Sequence, residues 1–152
     1  MKTPVLVVAL AALTGCGRTV PLRIGPADLV ADVASYEVRV WQTGACPTID
    51  AAGAAPDTRQ IAVRQSYVRA SGTSAAVGEV PSGVHAVSVL ARDASCTALL
   101  FGCTPNVDFG SATSVDVVWS VVSPTFGCAS GEACVASACV PDRATLDAGA
   151  HD

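Results

Sequence analysis

Cysteine is the residue type through which this 152-residue chain could do most chemistry. Seven are present: Cys16, Cys46, Cys96, Cys103, Cys128, Cys134 and Cys139. Oxidised in pairs they staple a fold, and as thiolates they bind metal or attack electrophiles. An odd number is awkward for a fully bridged protein, so one cysteine needs a separate role. Other reactive side chains are sparse. His151 lies in a terminal tail, and His85 lies in an apolar run, where a core or face histidine is a plainer reading than a base. A hydrolase using His85 is the enzymatic alternative. The glutamates Glu37, Glu79 and Glu132 are far apart and belong to unrelated elements. No serine has a G-x-S-x-G setting, and "SGTSAAVGE" lacks the lysine and helix of a phosphate cradle. A zinc site needs a fourth ligand and usually C-x₂₋₄-C spacing, whereas the histidine nearest the C-terminal cysteines is His151. Asp28, Asp32 and Asp108 form no D-x-[DN]-x-[DN]-G calcium run. The chain therefore reads as non-enzymatic, with no catalytic residues, no metal and no cofactor.

The N-terminus explains the odd cysteine. Lys2 is followed by the nine-residue apolar run Val5 to Leu13. That length suits the ~7–15-residue apolar region of an export signal and falls short of the roughly 18 residues that span a bilayer. "LTGC" comes directly after it, with Leu13, Thr14 and Gly15 before Cys16. This resembles the lipobox of bacterial lipoproteins: an aliphatic residue, a small residue, Gly or Ala, then the lipid-bearing cysteine. The resemblance implies cleavage after Gly15, a diacylglyceryl thioether on Cys16 and acylation of the new amino terminus by a chain such as palmitate. Two or more acyl chains hold a protein stably on a membrane. Gly17 is not the aspartate that retains enteric lipoproteins in the inner membrane, so the resemblance implies the outer membrane, on its periplasmic or surface face.

Setting Cys16 aside leaves six cysteines, an even number suited to an exported disulfide framework. Three fall in the central region and three near the C-terminus. If all are oxidised, at least one bridge joins the two regions.

The elements between them read as strands. "SYEVRVWQT" alternates, with Tyr36, Val38 and Val40 on one face and Glu37, Arg39 and Trp41 on the other. "RQIAVRQSYVRA" sets Ile61, Val63 and Tyr67 opposite Arg64. "SGVHAVSVLARD" is apolar on both faces, as a central strand would be. "ALLFGC" follows the turn "RDASCT" as a hairpin partner, and "SATSVDVVWSVV" puts Val115, Val117, Trp119 and Val121 in step. Turn residues separate these runs in "TGACP", "AAGAAPD", "EVPSG" and "TPNVDFGS". "PADLVADVASY" fits either a short helix or a first strand. Trp41 and Trp119 would make a sugar- or protein-binding platform if exposed, but as large apolar strand residues they belong in or beside the core.

The expected fold is all-β: an antiparallel immunoglobulin-like or prealbumin-like sandwich with a small disulfide-stapled C-terminal segment. "GEVPSGVHAVSVLARDASCTALLFG" resembles transthyretin-like and carboxypeptidase-regulatory-like domains, which implies that Pro81 and Gly83 shape the turn into a core strand. "GCASGEACVASACVP" resembles EGF-like and Dickkopf-like cysteine knots, with Ser137 where a second glycine is common. The organisation expected is a signal peptide over 1–15, lipidated Cys16 and tether over 16–27, a β-sandwich over 28–123, a cysteine-rich segment over 124–141 and a disordered tail over 142–152.

Composition closes off some partners. Hydrophobic residues make up 51% and charged residues 14%, so the body is not a disordered segment. Net charge is −4, and the arginines are scattered without a basic stripe, so nucleic acid is not expected. The expected partners are the membrane, through the acyl chains, and an envelope protein or polysaccharide. A purely structural subunit of an envelope complex is the second reading.

Overall fold

The computed structural model describes residues 18–25, 32–49, 60–68 and 74–142. Among them the elements are strands: β1 (Arg18–Gly25), β2 (Ser35–Trp41), β3 (Ile61–Val68), β4 (Ser74–Val80), β5 (Val84–Arg92), β6 (Ala98–Asp108) and β7 (Val115–Val121). A terminal hairpin adds β8 (Glu132–Val135) and β9 (Ala138–Pro141). No helix among the described residues is long and apolar enough to cross a membrane. Valine recurs through β2, β5 and β7, and β-branched residues fit a pleated surface and disfavour helix.

The large sheet has the order β3-β2-β5-β6-β7-β1-β4. Its neighbours are antiparallel except β1 and β7, which run parallel. The sheet is thus all-β as expected, but curled and mixed. β7 makes the corner: Val115 to Val118 pair with β1, and Trp119 to Val121 pair with β6. Gly102 of β6 faces this corner. A Cβ there would lie 2.6 Å from the Val118 carbonyl oxygen and 3.0 Å from the Trp119 Cα, so only glycine lets the strands approach. The curl encloses one core, where Val20, Leu22 and Ile24 of β1 and Val115 and Val117 of β7 join Val38 and Val40 of β2 and Val87 and Val89 of β5. Tyr36 stacks on Trp119 there, with ring centroids 5.8 Å apart.

Three local readings change. Arg18–Gly25, expected within the tether, is a sheet strand, because Val20, Leu22 and Ile24 alternate inward behind the proline and glycine punctuation. Pro21 lies opposite Ala76 of β4, just before the first β7 pair, Leu22 with Val115. "TPNVD", expected as a turn, continues β6 through a bulge, where Asn106 takes a positive φ of 54° and its N–H donates to the Gly44 carbonyl. At the end of β7 the alternation slips, so Val121 is exposed and Val122 is buried. Most of "PADLVADVASY" lies outside the described residues. Gly83, at φ 135°, turns the chain into β5 as expected, and its carbonyl accepts from Phe109 N–H.

Candidate functional site

The inward face of β2 is apolar, but its other face carries Ser35, Glu37, Arg39 and Trp41, and these are buried too. Glu37 is 3% exposed and Arg39 2%, so this face is not a solvated one. Strand pairing assembles the cluster. Arg39 lies opposite Arg64 of β3, and Glu37 lies opposite Leu90 of β5, two residues from Arg92. Glu37 Oε1 accepts from Arg39 Nε at 2.5 Å and from Arg64 Nε at 2.7 Å, while Arg92 Nη2 stands 3.8 Å from Oε2.

The cover comes from the C-terminal segment. Arg64 Nη1 reaches across to Glu132 Oε1 of β8 at 2.7 Å, and its Nη2 donates to the Cys139 carbonyl at 3.5 Å. Ser35 Oγ donates to the Ser137 carbonyl at the hairpin tip. Arg92, 1% exposed, uses Nη1 to hold the carbonyls of Cys96 at 2.8 Å and Gly127 at 3.1 Å. Glu37 and Glu132, read in sequence as unrelated, therefore share one guanidinium.

Charge and burial oppose each other here. Burial alone would push the Glu37 carboxyl up, but Arg39 and Arg64 hold it below the ordinary carboxylate range. Burial would lower the Arg64 pKa, and Glu132 and Glu37 raise it instead. Arg92 titrates lower than a free arginine, chiefly because burial penalises its charge. A carboxylate held ionised between guanidinia and sealed by a hairpin has no proton to give near neutral pH. Its chemistry is cohesion: it fixes the tail to the sheet.

The disulfides reinforce that join. Cys46 pairs with Cys103 at the sheet, Cys128 with Cys139 within the C-terminal segment, and Cys96 with Cys134 between the two. The last is the connecting bridge that an equal division of cysteines demands. Leu90, Ala98 and Val122, with Phe101, Phe126 and Ile49, form a small apolar cluster.

His85 stands apart from this cluster. It is 9% exposed, its Nδ1 donates to the Trp41 carbonyl at 2.9 Å, and its ring meets the Phe109 ring edge-on at 5.8 Å. Among the described residues Nε2 has no hydrogen-bond partner and no carboxylate engages the ring. Trp41, 3% exposed, donates from Nε1 to Ser88 Oγ at 2.8 Å, and Trp119 is also 3% exposed, so neither offers an open aromatic platform. Asp32 is exposed, and Asp108 caps its own turn through Gly110 N–H and Ser111 Oγ. Gly15, Cys16, Asp28 and His151 lie outside the described residues.

Sequence reasoning missed the buried charge cluster. The signal available was two charges, Glu37 and Arg39, in mid-strand beside an arginine-bearing partner strand, a costly arrangement unless the charges pair. No protein-family model, curated protein or solved structure matches this chain.

Proposed function

We propose that the chain is the precursor of an exported lipoprotein, cleaved after Gly15 and held on the cell envelope by acyl chains on Cys16. Its β domain is a non-catalytic binding or structural module there, facing an envelope protein or polysaccharide, with the outer membrane as its location. The observation that carries the reading is the division of the cysteines. Six pair with one another in three disulfides, and the remainder is Cys16, the residue that ends "LTGC". Such a framework suits an oxidising compartment. Only Gly17 separates Cys16 from β1, so the anchor brings the start of β1 close to the bilayer.

The exposed valines Val118 (77%) and Val121 (66%) on β7 are apolar side chains that a partner could cover. A role as a structural subunit of an envelope complex would use the same surface. A hydrolytic role for His85 gains no support from its surroundings. We read the curled sheet as a variant of the immunoglobulin-like or prealbumin-like sandwich, supported by the core enclosed between β4-β1-β7 and β3-β2-β5-β6. The stapled tail supports the EGF-like or Dickkopf-like reading.

Cys16→Ala tests the anchor. The variant is expected to accumulate as uncleaved precursor and to incorporate no labelled fatty acid when expressed in a bacterium. Labelling equal to the wild type would remove the lipoprotein reading.

A further inference from the structure

Two of the three disulfides share one site. The sulfurs of Cys96, Cys128 and Cys139 all lie within 4.8 Å of one another, so the inner sulfur of the Cys96–Cys134 bridge adjoins both sulfurs of Cys128–Cys139. These residues arrive from separate elements. Cys96 sits at φ 63° in the β5–β6 turn, which the Asp93 carboxylate shapes by accepting from Ser95 and Thr97 N–H, both at 2.8 Å. Cys128 lies between β7 and β8, and Cys139 lies on β9. Arg92 draws the first two segments together through the carbonyls of Cys96 and Gly127.

Exposure across the pair is uneven. Cys96 is 1% exposed and Cys139 4%, Cys128 is half-buried, and Cys134 alone of the four is exposed. Thiol–disulfide exchange requires a thiolate to reach one sulfur and expel the other, so access selects the sulfur attacked. Attack at Cys134 expels Cys96, the sulfur that adjoins the second bridge.

We propose that Cys134 is a site of S-thiolation by low-molecular-mass thiols and that Cys96 relays the exchange into the Cys128–Cys139 bridge. In the first step the incoming thiolate forms a mixed disulfide with Cys134, the Cys96–Cys134 bond breaks, and its electron pair leaves on Cys96. In the second the Cys96 thiolate bonds to Cys128 or Cys139, and the other sulfur leaves as a thiolate that solvent protonates. One thiol enters and one is released, so no external oxidant or reductant is consumed. The tail stays tied to the sheet through Cys96 while Cys134 carries the adduct. Cys46–Cys103 lies outside this sulfur group, so a thiol attacking there has no relay to follow. The proposal does not depend on the lipid anchor.

The test is to expose the purified oxidised protein to reduced glutathione without denaturant, quench with an alkylating agent and map the linked peptides. The expected products are glutathione predominantly on Cys134 rather than on Cys96, Cys128 or Cys139, together with peptides joining Cys96 to Cys128 or Cys139. In a Cys128→Ser/Cys139→Ser variant that retains Cys46–Cys103, Cys134 is still thiolated and Cys96 is recovered alkylated. Glutathione first on another cysteine of the pair would overturn the proposal. So would thiolated Cys134 in the wild type with Cys96 always alkylated.

Discussion

At the scale of single residues, Glu37 carries the most consequence. Its carboxylate is shared by Arg39 and Arg64, and through Arg64 it is connected to Glu132 of the hairpin. Removing one partner of a buried ion pair leaves uncompensated charge, so Glu37→Gln is expected to cost about 3–5 kcal/mol in denaturant unfolding. A cost under about 1 kcal/mol, typical of a surface pair, would contradict the cluster's role. The pH dependence follows from the direction of the shift. The Glu37 pKa lies below its reference of 4.5 in the folded protein. Its contribution is therefore fully present above that reference and is lost as pH falls through the lower folded value. Unfolding free energy is expected to fall below about pH 4.5 in the wild type and to fall less steeply in Glu37→Gln. The alternation of Tyr36, Glu37, Val38 and Arg39 was readable in the sequence. The burial of its charged face was not, because the cover comes from Glu132 to Cys139, far along the chain.

At the scale of elements, two positions show how strands are forced into place. Gly102 permits the corner where β7 passes from β6 to β1. Gly102→Ala would press a methyl against backbone that cannot turn aside, and is expected to cost about 3 kcal/mol. An unchanged denaturation midpoint would mean the corner is looser than described. The β8–β9 hairpin closes with Ala136 at φ 49° and Ser137 at φ 64°, both left-handed. A two-residue turn with both positions left-handed prefers Asn-Gly. Replacing Ala136 by Asn and Ser137 by Gly is expected to stabilise the protein by about 1 kcal/mol, raising the midpoint. A lowered midpoint would contradict that geometry. The Ser137 carbonyl that receives Ser35 is main chain and survives the change. β2 and the first part of β7 were legible because apolar residues recur there with period two, and β5 because its run is apolar on both faces. β1 was not, since Pro21 and the glycines at either side disguise three inward residues as a tether. β6 beyond Cys103 was hidden for a related reason: Pro105 and Asn106 carry turn chemistry that here makes a bulge.

At the scale of the whole molecule, the C-terminal segment is part of the fold rather than an appendage. The Cys96–Cys134 bridge, the Arg64–Glu132 ion pair and the apolar group around Leu90 and Phe126 all join it to the sheet. The need for a crossing bridge was visible in the even division of six cysteines, but the connectivity was not, because pairing depends on which turns meet in space. The same arithmetic leaves Cys16 over, and the account rests on what that residue does. Intact mass of the mature protein, alkylated with and without prior reduction, tests this most directly. The mature chain is expected to begin at a lipid-bearing Cys16, with no alkylated thiol before reduction and six after it. A mass that includes residues 1–15, or a seventh alkylated cysteine after reduction, would contradict it.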